Sequence, residues 1–297
     1  MRRRQGARSV ERGAIWAFMP VIAILPFTLL AVLIIWLPFG LLTDVRYWWF
    51  VVGFAAAGLL LFVRPIQVLV LTPLLRARPA TAHEAEIIEP LWAQIAQANG
   101  LPSSRYVVRV LPTEELNAFA CGGHLVLVTS FAVHELSQAQ LRGVLAHELS
   151  HHLGLHTVAI TIGHWLSAPV VLLARIGFFL ENVGTAAAST FGQKSPVVRA
   201  IGSVVAVGMR ALSWVFTAAL RGSDAVANLV GHSSEFEADR RAVRMGFGRE
   251  LASALRQLLA QGTARRPIGW RARLAASHPP ARTRVARIEA LMRHPAR

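Results

Sequence analysis

The chain has 297 residues, 54% of them hydrophobic, a mean hydropathy of +0.46 and a formal net charge of +15. That apolar content excludes a disordered or low-complexity chain and points to an integral-membrane protein. Lys194 is the only lysine beside thirty arginines, a skew of composition more than the mark of a polyanion partner, so no nucleic-acid partner is expected.

Residues 1–12 carry five arginines and Glu11. From there to Asp44 no side chain is charged, a run that as helix is about 46 Å long where a bilayer core needs roughly 30 Å. The first span is placed at about 13–39, too long for a cleaved secretory signal. Pro20, Pro26 and Pro38 kink it or mark its ends. A second span, at about 46–65, contains the uncharged stretch Tyr47–Val63, and its Trp48 and Trp49 suit an interfacial belt. These spans make residues 1–78 a membrane hairpin. The positive-inside bias puts its arginine-bearing ends in the cytoplasm, at the inner (plasma) membrane.

Residues 79–156 read as water-facing. A surface helix is expected over His83–Asn99, with Pro90 limiting its first half. Two strands, Arg105–Val110 and His124–Thr129, follow, separated by a loop holding Asn117, Ala118, Phe119, Cys121, Gly122 and Gly123. Cys121, the only cysteine, can form no intramolecular disulfide and reads as a loop or strand residue. Ser137 and Gln140 make a capping box that starts a helix running through His151. Residues 157–220 form a second apolar block. Arg175, Arg199 and Arg210 interrupt it, at about 2.5–3.5 kcal/mol for an arginine at midplane. It reads as a second hairpin, either spanning or lying partly in the interface; spanning is favoured, because that returns residues 221–297, with fifteen arginines and six acids, to the cytoplasm.

The chemistry lies in the two water-facing parts. His147 and His151 are i and i+4, so on a helix both imidazoles reach one zinc, and Glu148 reaches a water on that metal. With 11 histidines and 13 glutamates, His-Glu-x-x-His arises by chance only about 0.02 times in such a chain. A third histidine six residues after His151 is missing, since position 157 is Thr157. His156 is one residue out of register, so it and His152 read as bystanders at a helix end, where imidazolium is tolerated. Glu235 and Asp239, again i and i+4, offer the alternative: Glu235 as third ligand and Asp239 as acceptor for a ligand imidazole. Glu237 faces away and pairs with Arg241. Zinc, one per chain, and a water attack assisted by Glu148 follow from that set. The rival reading is a catalytically inactive zinc-binding membrane scaffold.

HELSH at 147–151, then EFEAD at 235–239 after a hydrophobic hairpin, resembles the membrane zinc metallopeptidases of the HtpX heat-shock and CAAX prenyl protease superfamily. Asn117-Ala118-Phe119 ahead of a strand, and Ser277-His278-Pro279-Pro280 with Arg284 downstream, extend the resemblance over nearly the whole chain. It implies a mainly α membrane protein with a gluzincin-like α+β catalytic domain, built from residues 79–156 and 221–297 and facing the cytoplasm. It further implies cleavage of membrane or misfolded proteins in quality control. By position, His147, His151 and Glu235 become the ligands and Glu148 the base. The segment from Asn117 becomes an edge on which substrate adds as a strand, and His278 a stabiliser of the oxyanion.

Overall fold

The computed structural model describes residues 16–154, 156–191, 196–261 and 279–294. They fold as two compact units, Met19–Gly58 with Ile162–Ala227, and Leu59–Thr161 with Asn228–Arg297 and the residues up to Phe18.

The first unit is helical. α1 (Met19–Leu42) and α2 (Tyr47–Leu60) lie beside the greater part of two long helices, α7 (His156–Phe191) and α8 (Pro196–Arg244). Ile24 and Ala31 of α1 are buried with Val170 and Leu173 of α7 and Phe216 of α8. The hydroxyl of Thr28, in the same seam, donates to the carbonyls of Ile24 and Leu166 at 3.1 and 2.8 Å, so burying it leaves no polar group unmade. Gly177 of α7 lies directly against Ser213 of α8, a close approach of backbones that suits helix packing in lipid. Arg210, one of the arginines that interrupt the apolar block, meets Glu181 of α7 at 2.7 Å, and pairing offsets the cost of an arginine in an apolar layer. α1, residues 156–186 and residues 199–244 are each long and apolar enough to cross a membrane. α2 has 14 residues and meets α3 (Arg64–Leu74) at 86°, where Pro65 stands at the start of the new helix, a position that needs no N–H.

The second unit carries the sheet. β1 (Val107–Leu111) pairs parallel and β2 (Ala118–Cys121) antiparallel with a central β3 (Leu125–Thr129), all five residues of which are buried. β2 falls in the segment expected as a loop. Four residues are too few to show alternation, and the turn that returns them rests on Gly122 at φ +63°. A Cβ there would strike Gln67 of α3, whose Oε1 accepts from the backbone N–H groups of Gly123 and His124 at 3.2 and 2.9 Å. α3 thus docks under the sheet, with Leu71 and Leu75 against Leu125 and Leu127.

On the other face α4 (Ala82–Ala98) packs Ile88, Leu91 and Ile95 against Val126, Val128 and the apolar side of α6 (Gln138–Leu153). α4 runs through Pro90 instead of being limited by it. Pro90 and Glu86 lie on the exposed side, so the carbonyl Pro90 leaves without a donor faces water. Its start is fixed by a capping box from Thr81 to Glu84. Glu84 also takes Arg78 at 2.6 and 2.9 Å, while the Arg78 backbone exchanges hydrogen bonds with Val110 of β1. The hydrogen bond from Arg78, against the cost of burial, lowers the Glu84 carboxyl from 4.5 to about 2. A lowered carboxyl contributes stability that is present above pH 4.5 and lost as pH falls toward 2. Glu84→Gln is therefore expected to lower stability at pH 7 by roughly 2–3 kcal/mol, with the gap closing between pH 4.5 and 2, read by thermal unfolding in detergent.

After the short α5 (Ser130–Glu135), Ser137 caps α6 through the expected reciprocal bonds with Gln140. α9 (Gly248–Gln261) crosses α6 at Gly143, where any Cβ would meet the backbone of Glu250 and Leu251. α10 (Ala281–Arg293) closes the unit, with Ile288 against Leu251 and Ala242.

Candidate metal centre and active site

Three helices build the site. α6 presents His147 and His151 one turn apart, with ring centroids 4.8 Å apart and planes at 86°. The C-terminal part of α8 presents Glu235 and Asp239, also one turn apart. All four residues are buried, as is Glu148. The His147 and His151 Nε2 atoms are 3.3 Å apart, and Glu235 reaches them with Oε2 at 3.4 Å and Oε1 at 3.2 Å. A tetrahedral zinc with ligands at about 2.0–2.1 Å has edges of about 3.3–3.4 Å. Each imidazole meets a different oxygen of Glu235, and one donor atom from each of the three residues lies within 4.8 Å of the others, close enough for a single ion to draw together; two imidazoles with one carboxylate leave its fourth position open.

Asp239 lies behind them. Its Oδ1 accepts from the His147 Nδ1–H at 3.0 Å, which turns Nε2 toward Glu235, 3.4 Å away, and toward Arg284 Nη2, 3.1 Å away. Burial pushes the Asp239 carboxyl up, but His147 and Arg284 outweigh it, and the group stays below its ordinary value. Arg284 of α10 grips Asp239 with both edges of its fork, Nε to Oδ2 at 3.0 Å and Nη2 to Oδ1 at 2.7 Å. Its Nη1 lies 3.2 Å from Glu235 Oε2. The sequence reading named Arg284 only within the late segment that carries the resemblance and gave it no role in the site. One signal was present: Arg284 shares a helix face with Val285 and Ile288, so it is the basic residue on the buried side of an otherwise arginine-rich exposed helix. The charge of Glu148 acts on Arg284, which puts the expected base within the same electrostatic cluster.

A sequence model of Peptidase family M48 matches residues 82–292. The chain belongs to peptidase family M48. The M48 chain is 33% identical over 113 residues to a Protease HtpX homolog of Persephonella marina, covering 37% of this chain and 38% of the relative, well under two thirds. It is 26% identical over 244 residues to a Protease HtpX homolog of Sulfurihydrogenibium sp., covering 73% and 78%. A third, of Kineococcus radiotolerans, is 24% identical over 307 residues and 94% of each chain. In fold the M48 chain is similar to the crystal structure of S. mikatae Ste24p, with TM-score 0.52 and 18% identity over 86% of this chain and 61% of that one. It is a membrane metalloprotease.

Other residues singled out in the sequence fall as follows. His152 of the M48 chain is not a tolerated imidazolium at a helix end. It is buried, its Nε2–H donates to the Leu125 carbonyl of β3 at 3.0 Å, and its Nδ1 meets the Thr157 hydroxyl at 3.2 Å. Burial lowers its pKa to about 3, so the ring is neutral and ties α6 to the sheet. His156 meets Ser234 Oγ at 3.1 Å. The Cys121 thiol is pushed up to about 11 by burial, too high for a thiolate nucleophile at neutral pH. Glu237 pairs with Arg240 and Arg241, as expected of an outward-facing acid. β2 is the strand at the sheet edge beside α6. Ala118 is buried against the core and Phe119 packs among Leu111, Leu125 and Leu127, so any recognition by this segment falls to its main chain. The Asn117 backbone is held by Thr129 at 3.0–3.2 Å. His278 lies outside the described residues.

Proposed function

We propose that the chain is an integral-membrane zinc endopeptidase that hydrolyses peptide bonds of membrane or misfolded proteins at the cytoplasmic face of the plasma membrane, in protein quality control. The observation that carries this reading is the buried cluster of His147, His151 and Glu235, in which the two Nε2 atoms are 3.3 Å apart and each lies within 3.4 Å of a Glu235 oxygen, with Glu148 buried beside it. Bound zinc would supply an acidified water and a Lewis acid for the scissile carbonyl. Glu148 takes the proton of the attacking water and delivers it to the leaving amine. Asp239 holds the proton of His147 on Nδ1, and Arg284 holds Asp239. The edge of β2 takes the substrate backbone as an added strand, a mode that reads main chain before side chains and suits unfolded polypeptides of varied sequence. Cytoplasmic placement is supported by the arginines gathered at both ends of the chain.

Purified in detergent with zinc, the protein is expected to hold one zinc per chain and to cleave casein, to lose cleavage on chelation and to recover it on adding zinc back. Full zinc occupancy without turnover of casein or other unfolded substrates would leave the scaffold reading in its place.

A further inference from the structure

A cavity of about 500 Å³ opens beside the metal centre, with His151 in its wall. That volume is in the range of sites for small ligands, roughly 300–1,000 Å³. Among the described residues four arginines line it, Arg240, Arg241 and Arg244 from α8 and Arg287 from α10, together with the carboxylate of Glu237. Glu237 is shared between Arg240 at 3.1 Å and Arg241 at 3.7 Å, so among the described lining residues arginines outnumber carboxylates. The Arg287 guanidinium is stacked 3.9 Å from the centroid of the Phe236 ring. Stacking uses the face of the fork and leaves its N–H edges for an anion.

The position of the cavity says which anion. Its wall includes Ala17, two residues before α1, and His156, the first residue of α7. Both helices are long and apolar enough to cross a membrane. A cavity from whose rim two spans depart lies at the depth of lipid headgroups, where basic pockets take anionic lipid. A planar arginine fork matches phosphate oxygens two at a time. We propose that this cavity binds the phosphate headgroup of an anionic phospholipid, next to the metal centre and separate from the edge on which substrate adds.

The full-length protein in neutral detergent is titrated with fluorescent phosphatidylglycerol and, in parallel, with fluorescent phosphatidylcholine. The wild type is expected to bind phosphatidylglycerol at least about 10-fold more tightly. Arg244→Gln/Arg287→Gln should lose that preference. Arg249→Gln/Arg282→Gln removes the same charge from exposed positions outside the cavity and should keep it. Glycerol phosphate competing as well as the lipid would show that a free phosphate suffices, and a glutamate-rich peptide competing as well would show a pocket for acidic substrate segments; either overturns the lipid assignment. Equal losses in the two double variants would also overturn it, by reducing the effect to net charge. A photoactivatable phosphatidylglycerol gives a reading on the wild type alone, with labelling expected within 233–244 and at the start of α7. Labelling confined to other segments would refute the proposal even where a variant fails to fold. None of these readings requires turnover, so they stand or fall apart from the protease assignment.

Discussion

Glu148→Gln is expected to lower kcat for casein by about 10²–10⁴-fold, the range ascribed to general acid–base catalysis, while the protein keeps one zinc per chain. Glutamine preserves the volume of a side chain that is 5% exposed, so packing of α6 is undisturbed. It leaves His147, His151 and Glu235 in place, so metal content is retained. What it removes is the capacity to accept a proton and hand it on, and that loss belongs to the transition state, so kcat falls with little change in KM. Initial rates together with zinc measured by atomic absorption decide the matter. Activity within a factor of two of wild type would sink the assignment of Glu148 as base, and zinc lost in step with activity would make it a positioning residue instead.

The parts of this site that were legible in the sequence are those set by a single helical turn. His147 with His151, and Glu235 with Asp239, share faces because i and i+4 always do, and the cap at Ser137 is equally local. What joins the two pairs is not local. Arg284 lies 45 residues from Asp239; the resemblance marked it as part of a late segment, and its place on the buried side of α10 hinted that it turns inward. His152 misled for the same reason. The helix-end argument assumed solvent around the ring, whereas the fold brings the Leu125 carbonyl to it from 27 residues away. Ala118–Cys121 gave no strand signal in four residues and took its pairing from β3. The single run Tyr47–Val63 concealed the 86° turn between α2 and α3, though Pro65 stood where a new helix prefers to begin.

Asp239→Asn is expected to weaken zinc binding by about 10–100-fold, the usual consequence of removing the group that orients a ligand imidazole. In the folded chain the Asp239 carboxylate accepts from His147 Nδ1–H at 3.0 Å and from two nitrogens of Arg284. Asparagine has one acceptor oxygen for these two partners. Turned toward Arg284, it presents an NH2 group to a ring N–H, and His147 loses both its fixed tautomer and the nearby negative charge that makes it a better donor. Arg284→Lys tests the same arrangement from the other side, since an ammonium cannot grip both carboxylate oxygens as the fork does. Because both substitutions act through His147 Nδ1, their effects on zinc affinity should not add. The double variant is expected close to Asp239→Asn alone, a coupling of about 0.5–3 kcal/mol in a double-mutant cycle. Competition with a zinc chelator of known affinity supplies the four constants. Zinc held by Asp239→Asn within a factor of two of wild type would remove Asp239 from the site, and strictly additive losses would mean that Arg284 acts on the metal by a separate route, through Glu235, 3.2 Å from its Nη1.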